Sequence, residues 1–146
     1  GYHQPVDYKK ENALFVNECA SCHILYPPSL LPKKSWEIMM ANLGEHFGDD
    51  ASLEPEETQN ILKYLLDNAA EYSTSEASVN ILKTLQNKDT IAITQTPFWK
   101  KRHKNIDDKY FKSKQIKSKA NCKACHSDVE KGLIEDNNIK IPSMES

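Results

Sequence analysis

The amino-acid sequence predicts a small, mainly α-helical protein with two lobes. Three observations favour this fold class: glycine is scarce, with 4 in 146 residues; apolar residues recur at helical spacing; and alternating strand-like patterns are nearly absent. With 38% hydrophobic and 27% charged residues, the composition is that of an ordinary globular chain. The mean hydropathy of −0.68 indicates a thin apolar core, which a large buried cofactor would supplement.

Helices are predicted in sequence order through the first half of the chain. Residues 8–19 form the first segment, and three prolines between residues 27 and 32 then require a connector rich in turns. A second helix covers residues 35–43, and Gly44 is expected to end it. Its apolar side chains are spaced i, i+3, i+4 and i+7, at Trp36, Met39, Met40 and Leu43.

A third helix begins at Pro55, and Ser75 is suited to cap a fourth. The apolar residues of these two helices are Ile61, Leu62, Leu65, Leu66 and Ala69, and Val79, Leu82 and Leu85, respectively. The polar, turn-prone stretch at 71–78 favours a boundary between an N-terminal lobe, residues 1–73, and a C-terminal lobe, residues 74–146.

The remaining segments of the second lobe are short. Residues 87–96 are expected to be extended or loop, and a short helix begins at Pro97. Residues 119–131 are predicted to form a helix that Gly132 ends. The tail after residue 134 has an irregular pattern.

Charge is distributed unevenly along this chain of net charge −2. Residues 45–76 hold nine acidic side chains against Lys63 alone, whereas residues 100–119 hold nine basic side chains against Asp107 and Asp108. Both runs are explained by solvated helix faces, or by a dipolar molecule that orients itself on a charged partner. Nucleic-acid binding is disfavoured because the basic run belongs to an acidic protein.

The sequence contains no run of 18 apolar residues, so no transmembrane segment is expected. The N-terminal stretch has neither a basic region nor an apolar region of the kind found in signal peptides. We therefore expect a targeting segment to be absent or already removed.

Two copies of one pentapeptide, "CASCH" at 19–23 and "CKACH" at 122–126, use all 4 cysteines. In Cys-x-x-Cys-His the two thiols form thioethers with a haem, and the histidine lies close enough to ligate the iron. The sequence therefore predicts two covalently bound haem c groups, with His23 and His126 as proximal iron ligands. The predicted attachment sites are Cys19, Cys22, Cys122 and Cys125.

Two other uses of the cysteines, a zinc site and a reactive dithiol, have less support in the sequence. A zinc site would require all four thiols to converge, although zinc ribbons usually bring their two knuckles within about 15–20 residues. Zinc also gives no reason for a histidine directly after both motifs. A dithiol oxidoreductase would need a reactive pair beside a βαβ pattern, and the sequence shows no such pattern.

Two axial iron positions remain to be filled. The candidates are His3, His46, His103, Met39, Met40 and Met144. Histidine as sixth ligand gives a low reduction potential, whereas methionine raises it. His46 lies between two glycines in a loop and His103 lies among aromatic residues, so these two are preferred. His3, near a terminus, is the spare candidate, and the methionines of the second helix are assigned to core packing.

The spacing of these histidines has one regularity. His23 and His46 are 23 residues apart, as are His103 and His126, but the order relative to the cysteines is inverted. The segments are therefore not a sequence repeat. Which distal histidine serves which iron is left open by the sequence.

Three segments carry a resemblance to a known family. These are "CASCHILYPPSLLPKKSWEIMMANLGEHFGDDASL", "PFWKKRHKNI" and "ANCKACHSDVEKGLIEDNNIKIP". The chain resembles the small soluble dihaem cytochromes c of Gram-negative bacteria, the DHC family, over residues 12–142. The resemblance implies short helices and loops wrapped around two haems, each with two histidine ligands and a low potential. It also implies a periplasmic electron carrier whose redox partners include a membrane b-type cytochrome and a high-spin monohaem cytochrome c.

Function follows from the ligation. If both irons hold two protein ligands, no position is open to a small substrate, and the protein transfers electrons instead of acting as an enzyme. The alternative is a dihaem peroxidase or reductase with one open iron. A third interpretation, a haem sensor in a larger signalling assembly, has no support in this sequence, such as a coupled output domain. Because haem c is attached outside the cytoplasmic membrane, we expect the protein in the periplasm. We also expect a monomer.

Overall fold

The computed structural model describes residues 4–86 and 89–142. Across these ranges the chain forms short α-helices, and its only β-type pairings are two isolated bridges, His46 with Asp49 and His126 with Ile139. The mainly α fold class is thus confirmed. The helices are α1 (Tyr8–Glu11), α2 (Ala13–Cys19), α3 (Lys33–Ala41), α4 (Pro55–Asp67), α5 (Glu76–Leu85), α6 (Pro97–His103) and α7 (Asp108–Phe111).

Single 3₁₀ turns join many of these helices and dominate the C-terminal part of the described chain. They are Pro28–Leu30, Leu43–Glu45, Ala70–Tyr72, Ile93–Gln95, Cys122–Ala124, Val129–Lys131 and Asp136–Asn138. None of the helices in the described ranges is long and apolar enough to cross a bilayer.

The main core lies between α2, α3 and α4. Its buried side chains are Tyr8, Phe15, Leu25, Leu31, Trp36, Met40, Ile61, Leu65 and Ala69. The indole N–H of Trp36 donates a hydrogen bond of 2.8 Å to the carbonyl of Pro28, which fixes the proline-rich connector against α3. The helices predicted at 35–43 and from Pro55 are both present, and their predicted apolar side chains are buried in this core or pack against it. The predicted end at Gly44 is wrong, because α3 ends at Ala41 with Asn42 as its C-cap and Gly44 lies in the 3₁₀ turn Leu43–Glu45.

The predicted helix at 8–19 is broken in two. Asn12 has an extended backbone, with φ −154°, and its side chain accepts a hydrogen bond of 3.0 Å from the amide of Phe15. Asn12 therefore ends α1 and caps α2, because its amide group competes with the helical backbone bonds.

The second core is smaller and is formed by α5, the end of the connector and their neighbours. Leu30, Ala77, Ile81 and Leu85 are its buried members. Ser75 caps α5 as predicted, since its side chain accepts a hydrogen bond from the amide of Ser78. The predicted apolar face of α5 is wrong at Val79, which is 42% exposed. Because Ser78 donates to the carbonyl of Ser29, the face around residues 77, 78, 81 and 85 is turned inward instead.

Residues 119–131 do not form the predicted helix. They form two 3₁₀ turns, Cys122–Ala124 within the second Cys-x-x-Cys-His motif and Val129–Lys131 after it, and Gly132, at φ 79°, ends the second turn. Tertiary hydrogen bonds hold this segment: the amide of Lys140 donates to the carbonyl of Cys125, and that of Val6 to the carbonyl of Lys131. These contacts override a helix propensity that is only a weak preference.

The loop and tail predictions largely hold within the described ranges. Residues 89–96 form a loop with one 3₁₀ turn, and the helix predicted from Pro97 is α6. Residues 87–88 and 143–146 lie outside the described residues.

The predicted boundary between residues 73 and 74 lies in a packed region. Leu30, in the first predicted lobe, packs in the second core with the buried side chains of α5, and the hydroxyl of Ser78 donates a hydrogen bond to the carbonyl of Ser29. Contacts between the two predicted lobes are therefore extensive, and their division into two units stays a prediction.

We predict that Gly132→Ala destabilises the protein by about 2 kcal/mol or more, because two penalties combine. The residue is in the left-handed region, and an added Cβ would lie 2.5 Å from the hydroxyl oxygen of Tyr8. The free energy of unfolding from chemical denaturation measures the effect.

The variant Tyr8→Phe separates the two penalties. In that background the nearest remaining atoms lie 3.4 Å from the added Cβ, so Gly132→Ala should cost only the backbone penalty of about 1–2 kcal/mol. Equal costs in both backgrounds would show that Tyr8 does not crowd this position.

Candidate haem sites

The first Cys-x-x-Cys-His motif lies at the end of α2, which carries Cys19 in its last position. The chain then turns at Ala20, and Cys22 and His23 are exposed in the loop that follows. The ring of His23 faces that of His46, with 6.2 Å between the ring centroids and 39° between the ring planes. Two histidine side chains from separate segments thus lie next to each other.

A tight turn holds His46 in this position. The backbones of His46 and Asp49 exchange two hydrogen bonds, of 2.8 and 3.0 Å. The two residues between them, Phe47 at φ 51° and Gly48 at φ 90°, both have positive φ, as a type I′ turn requires. Gly48 therefore serves the turn conformation, and an added Cβ there would meet no atom within 4 Å.

Phe47 is unusual in this turn. A bulky residue rarely takes a positive φ, and such a conformation costs about 1–2 kcal/mol. Its ring lies 4.8 Å from that of His46, and the side chain is 59% exposed. Strain of this kind concentrates at functional sites.

The second motif lies in and after the 3₁₀ turn Cys122–Ala124. The rings of His126 and His103 are 6.3 Å apart between centroids, at 69° between planes. Cys122, Cys125 and both histidines line a cavity of about 470 Å³, within the range of roughly 300–1,000 Å³ for small-molecule and cofactor sites. Its other walls are largely apolar.

Helix α6 and its neighbours orient His103. The Nδ1 atom of His103 lies 2.7 Å from the carbonyl oxygen of Trp99, one turn earlier in α6. The indole of Trp99 stacks on the imidazole at 4.2 Å and 15°, and Phe111 packs against the indole at 5.8 Å. In the same way, Nδ1 of His23 lies 2.6 Å from the carbonyl oxygen of Ile24. In both rings the Nε2 atom is left to bind a metal.

The spacing within each pair fits an iron atom between two imidazoles. Two metal–imidazole bonds of about 2.0 Å place the ring centres about 6.3 Å apart once the ring radius is added. The measured separations are 6.2 and 6.3 Å. Aromatic rings that pack directly on each other are also about 4.5–7 Å apart, so one such distance alone would not indicate a metal site. The same distance beside both Cys-x-x-Cys-His motifs does.

The protonation of the histidines suits metal binding. Burial lowers the pKa values of His46, His103 and His126, and the neighbouring His23 lowers that of His46 further. Neutral imidazole is the form that ligates a metal. The Nδ1 atom of His126 is buried without a hydrogen-bond partner among the described residues. His126 thus lacks the contact between Nδ1 and a backbone carbonyl oxygen that His23 and His103 have.

The thiols argue against the other uses of the cysteines. Burial raises the pKa of both Cys19 and Cys122 to about 11, whereas a reactive dithiol needs a lowered pKa. The described part of the chain contains no group of three or more histidine, cysteine or acidic side chains that could hold a metal ion. A zinc site of four cysteines therefore has no support.

The remaining ligand candidates are placed as follows. Met40 is buried in the main core and Met39 packs against it, so their assignment to packing is confirmed. His3 and Met144 lie outside the described residues.

Sequence reasoning missed two features of the sites. The stacking of Trp99 on His103 follows from a spacing of four residues in a helix, and this signal was available. The type I′ turn at His46 was not recognised, because its first central residue is a phenylalanine.

The chain fits the class of c-type cytochromes that carry two haems, in both its motifs and its paired histidines. It matches the family model for dihaem cytochrome c, DHC, over residues 15–134, and it belongs to this family. It therefore carries two covalently bound haem c groups. Electron transfer is the general role that the family implies.

Solved structures of dihaem cytochromes c are similar to this chain. One from Rhodobacter sphaeroides is 34% identical, with a TM-score of 0.75, and the match covers 90% of this chain and 100% of that one. One from Shewanella baltica is 32% identical, with a TM-score of 0.74, covering 92% and 95%, respectively. Among curated protein sequences no significant match was found.

We predict that Gly48→Ala lowers the free energy of unfolding by about 1–2 kcal/mol, because alanine is strained at φ 90°. Gly44→Ala is the matched control in the same loop. Its added Cβ would make an ordinary contact of 3.5 Å with Ser52, so stability should be unchanged or raised by about 0.4–1 kcal/mol. Chemical denaturation measures the free energy of unfolding of both variants. Equal changes in the two variants would contradict the type I′ turn.

Proposed function

We propose that this chain is a periplasmic electron-transfer protein whose two haems are both low-spin, with two histidine ligands each. His23 and His46 ligate one iron, and His126 and His103 ligate the other. The observation that carries the proposal is the recurrence of a 6.2–6.3 Å imidazole pair beside each attachment motif. The proposed thioether attachment sites are Cys19, Cys22, Cys122 and Cys125.

The chemistry of each residue follows from its place. The bound haems supply irons that each take up and release one electron. The two histidine pairs would hold the irons and leave no iron position open to oxygen, peroxide or similar ligands. Two imidazole ligands also favour a lower potential than methionine would give. The chain thus works as a carrier instead of an enzyme.

The periplasmic location rests on the chemistry of attachment. Haem c is attached outside the cytoplasmic membrane in bacteria, and the family resemblance implies the same compartment. The proposed partners are redox proteins, including a membrane b-type cytochrome and a high-spin monohaem cytochrome c.

We predict that His46→Ala and His103→Ala each convert one haem to a high-spin form that binds carbon monoxide. Each variant opens one axial position, whereas His3→Ala should change little. His46→Met should restore a low-spin iron and raise the potential of that haem. Absorption spectra, with and without carbon monoxide, provide the measurement.

The pairing itself can be tested in a chain that attaches one haem only. With Cys19 and Cys22 both replaced by alanine, only the second haem remains. Adding His103→Ala should then make it high-spin, whereas adding His46→Ala should leave it low-spin. The reverse result would mean that His46 ligates the second haem and His103 the first. Rapid carbon monoxide binding by the unmodified protein would favour the peroxidase-like alternative.

The charges around the two sites differ in sign. The turn that carries His46 has exposed acidic residues at Glu45 and Asp49, whereas α6, which carries His103, exposes Lys100, Lys101 and its C-cap Lys104. We propose that an acidic redox partner docks on the basic side. Electrostatic attraction of this kind mainly raises the association rate and weakens as salt screens it.

We predict that changing Lys100, Lys101 and Lys104 to glutamate slows oxidation of the reduced protein by ferricyanide at low salt. The anionic oxidant stands for an acidic partner, and the haem spectra should not change. Stopped-flow rates measure the effect, which should fade as ionic strength approaches the range where the Debye length is about 10 Å or less.

The control variant changes Lys9, Lys10 and Lys34 to glutamate, which alters the net charge equally on other helices. Its rate should fall less. Equal rates for both triple variants would mean that net charge alone governs the encounter and that the lysines of α6 are a solvated surface.

A further inference from the structure

Tyr26 joins the two haem sites across the molecule. Its ring lies 5.0 Å from that of His23, at 40° between planes. Its hydroxyl donates a hydrogen bond of 2.7 Å to the carbonyl oxygen of Ala120, which is 94 residues away in sequence. One side chain thus contacts the proposed ligand of the first haem and the segment that enters the second attachment motif.

The carbonyl of Ala120 continues this connection to Cys122. The amide of Cys122 donates to the same oxygen at 3.0 Å, and the thiol sulfur of Cys122 lies 3.7 Å from it. A continuous series of short contacts therefore runs from His23 to Cys122.

A second contact holds the same two segments together without reaching either histidine. The carboxylate of Glu130 accepts a hydrogen bond of 3.0 Å from the amide of Leu25. It also forms a salt bridge of 2.8 Å with Lys123, inside the second motif. The junction thus contains one connection that touches a proposed ligand and one that is only structural, and the two can be changed separately.

We propose that Tyr26 is a positioning residue for electron transfer between the two haems, acting through its hydrogen bond to Ala120. The bound haems would supply the redox chemistry, in which one electron would pass from the reduced haem to the oxidised haem without transfer of a proton. Tyr26 itself is neither oxidised nor reduced. This inference rests on the proposed ligation by His23 and attachment at Cys122.

The test uses the complete holoprotein reduced by one electron per chain. The rate of electron exchange between its two haems is measured from NMR line shapes of the haem methyl groups. Tyr26→Phe, which removes only the hydroxyl, should slow the exchange several-fold, and Tyr26→Leu should slow it further. Absorption spectra and midpoint potentials should match those of the unmodified protein.

Two controls separate this role from a structural one. Tyr72→Phe removes a hydroxyl from a tyrosine that is 62% exposed and should leave the rate unchanged. Glu130→Gln loosens the other contact between the segments, so it should lower the thermal stability without slowing the exchange.

Two results would overturn the inference. In one, Tyr26→Phe exchanges electrons as fast as the unmodified protein. In the other, Glu130→Gln slows exchange as much as Tyr26→Phe, so that the closeness of the segments alone would set the rate. Failure of the proposed ligation is recognised separately, because the unmodified protein would then show a high-spin haem or a missing one.

Discussion

The gap between the two imidazoles of each pair is the constraint on which the rest of the structure depends. At 6.2 and 6.3 Å the separations suit one metal atom between two rings. Each pair joins segments 23 residues apart, so both require the intervening chain to turn back on itself. Short helices and single 3₁₀ turns do this more readily than long regular elements, which explains an architecture of seven short α-helices within the described ranges.

The two halves meet this constraint by different local means. The first uses a type I′ turn, whose central residues Phe47 and Gly48 both take positive φ, to hold His46. The second uses helix α6, where Trp99 both stacks on His103 and accepts its hydrogen bond. The inverted order of motif and paired histidine in the sequence is thus accompanied by two different local structures.

The sequence predicts the helices and the chemistry well because both depend on local patterns. The periodic face of α4 and the cap at Ser75 are read from neighbouring residues, and the attachment motifs are pentapeptides. What it does not predict depends on distant contacts. Residues 119–131 are not a helix because bonds to Val6 and Lys140 hold them, and Val79 faces outward because the connector packs on the opposite face of α5.

The thin core predicted from the mean hydropathy has a structural counterpart. The second core buries only four apolar side chains in the described residues, and beside them lies the apolar cavity of about 470 Å³ that both His103 and His126 line. Apolar walls facing water lose the stabilisation that burial would give them. Under the proposed attachment, a haem held in this cavity would replace the missing interior, so that attachment at the second motif would contribute to the fold as well as to electron transfer. The same argument applies less to the first site, where Cys22 and His23 lie at the surface and the main core is complete without them.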